Sequence, residues 1–133
     1  MAGVFPRFTD GPRTYTVAEP VTGGQLVEAR ASSVVGVAAA GSLKVLGVAL
    51  KDATNATPAS TDATVPQATC PVAHDCHIVV TYAAAANFGD RLIAAANGQV
   101  TPAGAAPDAR TVVGYCSEEA GVALGATGLA YIN

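Results

Sequence analysis

The sequence has no tryptophan, one methionine and only 13% charged residues among its 133 positions. An average soluble domain carries about 25% charge. Coiled coils need many Glu, Lys and Leu, and that supply is missing here. Lys and Arg number 7 against 10 Asp and Glu, a net charge of −3, which argues against a basic nucleic-acid-binding patch. Cysteine is scarce and odd in number, at Cys70, Cys76 and Cys116, so no secreted disulfide framework follows. A Cys70–Cys76 bridge and free thiols in a reducing cytoplasm both stay open, the second being the simpler setting. Met1 to Arg7 has neither a basic start nor a continuous apolar run, and does not read as a signal peptide. The most apolar stretch, 31–50, is broken by Gly36, Gly41, Ser42 and Gly47 and is rich in β-branched residues, unlike a spanning helix.

What is present is small and β-branched. The chain holds 29 Ala, 17 Val, 14 Gly and 13 Thr, more than half of its length. Half of the residues are hydrophobic, which argues against overall disorder. One domain of this size needs no metal or disulfide to fold.

Residues 1–13 read as an N-terminal arm, because Pro6, Gly11 and Pro12 forbid a regular element. Phe5, Phe8 and the nearby Tyr15 place three of the seven Phe and Tyr residues in the first fifteen positions. With Arg7 they are candidate anchors on another subunit, against the blander reading of a strap packed on its own core.

Residues 14–133 read as a single β-rich domain. Strands are expected at 14–17, 25–30 (alternating between core and solvent), 34–38, 43–50, 77–82, 91–96, 111–116 and 128–132. Asn97-Gly98 is a strong hairpin signal. Ala, Thr, Ser, Asp and Pro from residue 52 onward predict a long surface loop at about 52–76. Val34-Val35-Gly36-Val37-Ala38, Val45-Leu46-Gly47-Val48-Ala49 and Val112-Val113-Gly114-Tyr115-Cys116 form a weak echo, and Gly47-Val48-Ala49-Leu50 recurs as Gly121-Val122-Ala123-Leu124. The spacing is too irregular for a solenoid. A glycine inside a strand marks a bulge or bend, as a small barrel requires. The expected fold is therefore mainly β: a small compact β-barrel or β-sandwich of short glycine-bent strands, with an extended N-terminal arm and little helix.

Chemistry-bearing clusters are few. Cys70, His74, Cys76 and His77 supply zinc-type ligands in kind, but His77 follows Cys76 directly, and neighbours in an extended segment point to opposite faces. The favoured reading is a loop entering a strand at His77, with no metal site. No nucleophile elbow, phosphate loop, dinucleotide fingerprint or metalloprotease motif occurs. Cys116 reads as core and Glu118-Glu119 as solvent-facing, so no catalytic residue is assigned.

The ordered series Gly23-Gly24-Gln25-Leu26-Val27-Glu28-Ala29, Val34 to Ala38, Val45 to Ala49, Phe88-Gly89-Asp90-Arg91-Leu92-Ile93-Ala94, Asn97-Gly98-Gln99-Val100 and Arg110-Thr111-Val112-Val113-Gly114-Tyr115 resembles the small head-decoration (capsid stabilisation) proteins of tailed phages, particularly those of actinobacteria. The likeness spans about residues 20–132, and the insert at 52–77 departs from the simplest pattern. The resemblance implies a protein on the outer surface of the capsid, made in the host cytoplasm. Its implied partners are the major capsid protein and itself, as a homotrimer, with no nucleic acid and no membrane. It implies no catalysis and no cofactor. Another virion structural domain (tail or fibre) and a small metal-binding domain using Cys70, His74, Cys76 and His77 are the competing readings.

Overall fold

Val34-Val35-Gly36-Val37 and Val45-Leu46-Gly47-Val48-Ala49 both fold as strands, since β-branched side chains pack well on a pleated surface. The computed structural model describes residues 12–55 and 68–133. Ten strands follow in order: β1 (Arg13–Val17), β2 (Leu26–Ala31), β3 (Val34–Val37), β4 (Val45–Ala49), β5 (Thr69–Ala73), β6 (Cys76–Thr81), β7 (Arg91–Ala94), β8 (Val100–Pro102), β9 (Val112–Cys116) and β10 (Thr127–Ile132). Two 3-10 turns, Ala96–Gly98 and Ala109–Thr111, are the helical pieces among the described residues. The mainly-β expectation holds. Phe5, Arg7 and Phe8 lie outside the described residues, whereas Tyr15 lies on β1.

Strands β1 to β5 close a barrel in the order β1-β3-β2-β4-β5. Strands β6 to β10 form a second sheet in the order β6-β10-β9-β7-β8. A parallel bridge between Tyr82 and Val100 draws the ends of this sheet together, and the Ala83 N–H donates to the Val100 carbonyl at 2.7 Å.

The two sheets are copies of one design. In the first, β1 pairs with β5, β2 with β3 and β4, and β4 with β5, all antiparallel, while β1 and β3 run parallel. In the second, the same pairs recur as β6 with β10, β7 with β8 and β9, and β9 with β10, with Tyr82–Val100 as the parallel contact. The antiparallel bridge Val21–Ala53 has its counterpart in Ala86–Val122. Gly24 N–H donates to the Ala49 carbonyl as Gly89 N–H does to Cys116, both at 2.8 Å. Even a side-chain bond repeats. Gln25 Oε1 accepts from Thr22 N, and Asp90 Oδ2 from Asn87 N, each at 2.8 Å. The chain is thus a tandem duplication of a five-stranded unit, here called the first and second repeat.

The interiors match as well. Val17, Val21, Val27, Val35, Ala49 and Ala53 fill the first repeat. Tyr82, Ala86, Leu92, Val100, Cys116 and Val122 occupy the corresponding places in the second. Larger side chains there make that core the bulkier one. Burying each such aliphatic side chain contributes roughly 1.5–3 kcal/mol.

A bulge recurs at the same place in each repeat. Val27 pairs with Gly47 and Glu28 with Val45, so the register slips by one residue in β4. Leu92 pairs with Gly114 and Ile93 with Val112, so β9 slips likewise. Gly36 has a different reason to be glycine. A Cβ there would lie 2.7 Å from the Arg30 guanidinium carbon and 2.8 Å from Glu19 Oε1, inside an ion pair.

Two sequence readings need correction. The expected loop at 52–76 contains β5 at Thr69–Ala73, and Ala53 forms a bridge. Pro71 lies inside β5, and its carbonyl accepts from Leu50 N at 3.0 Å. Strand β2 was expected to alternate between core and solvent. Instead Leu26 and Val27 are both fully buried, because β2 has the barrel interior on one side and the second repeat on the other.

Candidate interaction surfaces

The contact between the repeats is built from the outer wall of the first and one open end of the second. Leu26, Ala38 and Val48 face away from the barrel and join the core of the second repeat, where Ala94 and Ile132 are buried and Ile78 is half-buried. Backbone bonds fasten the join: Gly41 N–H to the Ala94 carbonyl at 2.9 Å, and Gly98 N–H to the Ala38 carbonyl at 3.3 Å. Gly98 sits so close that a Cβ on it would meet Gln25 Cβ at 2.8 Å and the Leu26 carbonyl at 2.9 Å.

The corresponding wall of the second repeat is uncovered among the described residues. Alternation along β6 and β10 turns His77 and Val79, then Leu129 and Tyr131, to the outside. The register sets Val79 opposite Leu129 and His77 opposite Tyr131, and pairs Tyr131 with Tyr115 on β9 and Tyr115 with Arg91 on β7. The result is a row of rings. Tyr115 and Tyr131 stack at 5.4 Å between centroids and 22° between planes. His77 meets the Tyr131 ring edge-on at 5.2 Å, and the Arg91 guanidinium carbon lies 5.9 Å from the Tyr115 centroid. Val79 is 51% exposed and Leu129 38%. A solvent-facing sheet face of aromatic and aliphatic side chains with one arginine has the composition of an interface core.

The corresponding end of the first repeat is also uncovered among the described residues. Tyr15 and Leu46 are half-buried there, standing where the second repeat has the buried Val80 and Val113. The Arg13 guanidinium carbon lies 5.7 Å from the Tyr15 ring centroid. Tyr15 is therefore at a barrel end, with part of its ring accessible.

A cleft of about 260 Å3 separates the 22–25 turn from Thr81 and the 97–99 turn. Gln25 Nε2 donates to the Asn97 carbonyl across it at 3.0 Å. Its walls offer amides and hydroxyls but no titratable or nucleophilic side chain.

The Cys/His cluster does not converge. Cys70 is buried inside the barrel, and its thiol donates to the Lys51 carbonyl at 3.3 Å. His77 belongs to the aromatic row on the other repeat, and His74 pairs with Asp75 at 3.1 Å in solvent. Cys70 and Cys76 are both free thiols, and burial followed by the nearby Asp75 charge pushes the Cys76 thiol up. Among the described residues no three His, Cys, Asp or Glu side chains are grouped to hold a metal ion. Cys116 is buried, while Glu118 accepts from Leu129 N at 3.1 Å. No helix among the described residues is long and apolar enough to cross a membrane.

Comparison with known proteins places the architecture. A solved structure, described as the head fiber gp8.5 N base in bacteriophage phi29, superposes with a TM-score of 0.62 over 92% of this chain and 92% of that one. The two sequences are 19% identical, so the likeness is one of fold. No family model matches the chain, and no curated protein matches it.

Proposed function

We propose that this chain is a non-enzymatic phage structural protein that binds the outer surface of the capsid. In this reading it clamps neighbouring major capsid subunits as a homotrimer, resisting internal pressure. One observation carries the reading: 92% of the chain shares its fold with a solved structure described as a phage head fiber base. The surfaces support it, since the exposed chemistry is aromatic, aliphatic and hydrogen-bonding rather than catalytic. Phe5, Arg7, Phe8 and Tyr15 are the proposed capsid or subunit contacts.

The decisive test is addition of the purified full chain to expanded capsids that lack it, followed by sedimentation. Co-sedimentation in proportion to major capsid subunits is the expected result. Deleting residues 2–13 should abolish binding while leaving the chain folded. Equal binding by the truncated chain would remove the arm from the account.

A second reading, the base of a head fibre or another projecting virion part, is favoured by the description of the phi29 structure itself. Copy number on purified virions separates the two. A decoration protein tracks the number of major capsid subunits, whereas a tail or neck component is present in a handful of copies.

A further inference from the structure

The duplication leaves one copy of an internal contact without its counterpart. Inside the chain, the wall around Leu26 and Val48 of the first repeat caps the end of the second repeat around Ile78, Ala94 and Ile132. By the register equivalence, Leu26 and Val48 correspond to Arg91 and Tyr115, since Val27 and Leu92 each pair with the bulge glycine. Among the described residues, the second repeat thus leaves the same wall uncovered, and the first repeat leaves the same end, marked by the half-buried Tyr15 and Leu46, uncovered. The two free surfaces belong to opposite ends of one chain.

We infer that a second copy of this chain docks here, with the Arg91–Tyr115–Tyr131 wall of one copy covering the Tyr15–Leu46 end of the next. The contact is head-to-tail, an intermolecular version of the one already made between the repeats. Head-to-tail contacts of this kind generate a closed ring when the rotation closes. Arg91 and Tyr115 replace the Leu26 and Val48 of the internal wall, and Tyr131 stands where that wall has Ala73, the exchange expected where a permanent core contact becomes one between separately folded chains. The copy is not seated identically. Ser33 holds the place of Gly98, with φ of 57° against 67°, and brings a side chain to a position where the internal contact has none.

This inference rests on the proposed self-association and names the surfaces that make it; its test uses no capsids, so its failure is distinct from a failure of capsid binding. The measurement is the mass of the full-length protein in solution by light scattering over a concentration series. The wild type should exceed the mass of one chain, and Tyr115→Asp and Tyr15→Asp should each fall to the mass of one chain. Mixing these two variants should restore pairs and nothing larger, because each pair retains one intact wall and one intact end. Arg91→Asp, at an exposed position, takes the place of Tyr115→Asp if that variant fails to fold by circular dichroism. A wild type that stays at one chain overturns the inference. So does a Tyr15→Asp protein that assembles normally while the wall variants do not, which would mean wall-to-wall pairing instead.

Discussion

Gly47 and Gly114 are the same residue of two repeats. Each sits at the bulge of its central strand, and each turns the place of its missing side chain onto a neighbouring carbonyl, Ala73 for Gly47 and Tyr131 for Gly114. A Cβ at either position would overlap that carbonyl, which is backbone and cannot swing aside. Gly47→Ala and Gly114→Ala are each expected to destabilise the fold by at least the roughly 1–3 kcal/mol typical of overpacking. Urea denaturation measures this as a lowered midpoint. Gly104→Ala is the control, since nothing lies within 4 Å of a Cβ there.

Arg30 bridges Glu19 at 2.8 Å and Glu28 at 3.0 Å on the barrel surface. Burial works against the Glu28 carboxylate, but hydrogen bonds from Ser42 and Ala39 and the Arg30 charge outweigh it and lower its pKa below 4.5. A depressed carboxylate stabilises the fold above its unfolded pKa, and that stability is lost as pH falls through the folded value. Glu28→Gln should therefore flatten the acid limb of stability against pH. Arg30 is partly exposed, so Arg30→Ala should cost about 1 kcal/mol or less.

Tyr82 is fully buried, and its hydroxyl donates to the Leu129 carbonyl at 2.8 Å. Burial first, then the Cys116 thiol and the Glu118 charge, push its phenol well above the ordinary value of 10. The unfolded chain ionises this tyrosine before the folded one does. Its contribution is thus fully present below about pH 10 and declines as pH rises further. Tyr82→Phe should lose about 1 kcal/mol at neutral pH and show a shallower alkaline decline in thermal melts.

Cys70 and Cys116 are fully buried, whereas Cys76 is half-buried with its thiol pushed up. A thiol reagent at neutral pH should modify Cys76 slowly in the folded protein and the other two only on unfolding. Mass spectrometry of digested fragments reads out the order. Rapid modification of Cys70 would show that the barrel opens readily.

Much of the strand content was legible locally. His77 to Tyr82 carried enough β-branched and aromatic character to mark β6 and its continuation, and Asn97-Gly98, both at positive φ, forms the turn between β7 and β8. The glycine-centred echo of Val45 to Ala49 and Val112 to Cys116 fell on equivalent strands, β4 and β9. The verbatim repeat of Gly-Val-Ala-Leu did not, since Gly47 lies in β4 and Gly121 in the turn beyond β9. Short apolar words in an alanine- and valine-rich chain recur by chance, so identity alone could not separate the real echo from the false one.

The sequence by itself determined that this is a low-charge chain of short, glycine-bent β-strands. That information is local, residing in β-branched runs, turn residues and the glycines at bulges. Only the tertiary structure decided that the strands form one unit twice, because equivalence lies in pairing and register rather than in residue identity. It also gathered His77, Arg91, Tyr115 and Tyr131 into one wall, through partners far apart along the chain. Strand alternation fixes which residues share a face of one strand. Long-range hydrogen bonding fixes which faces meet.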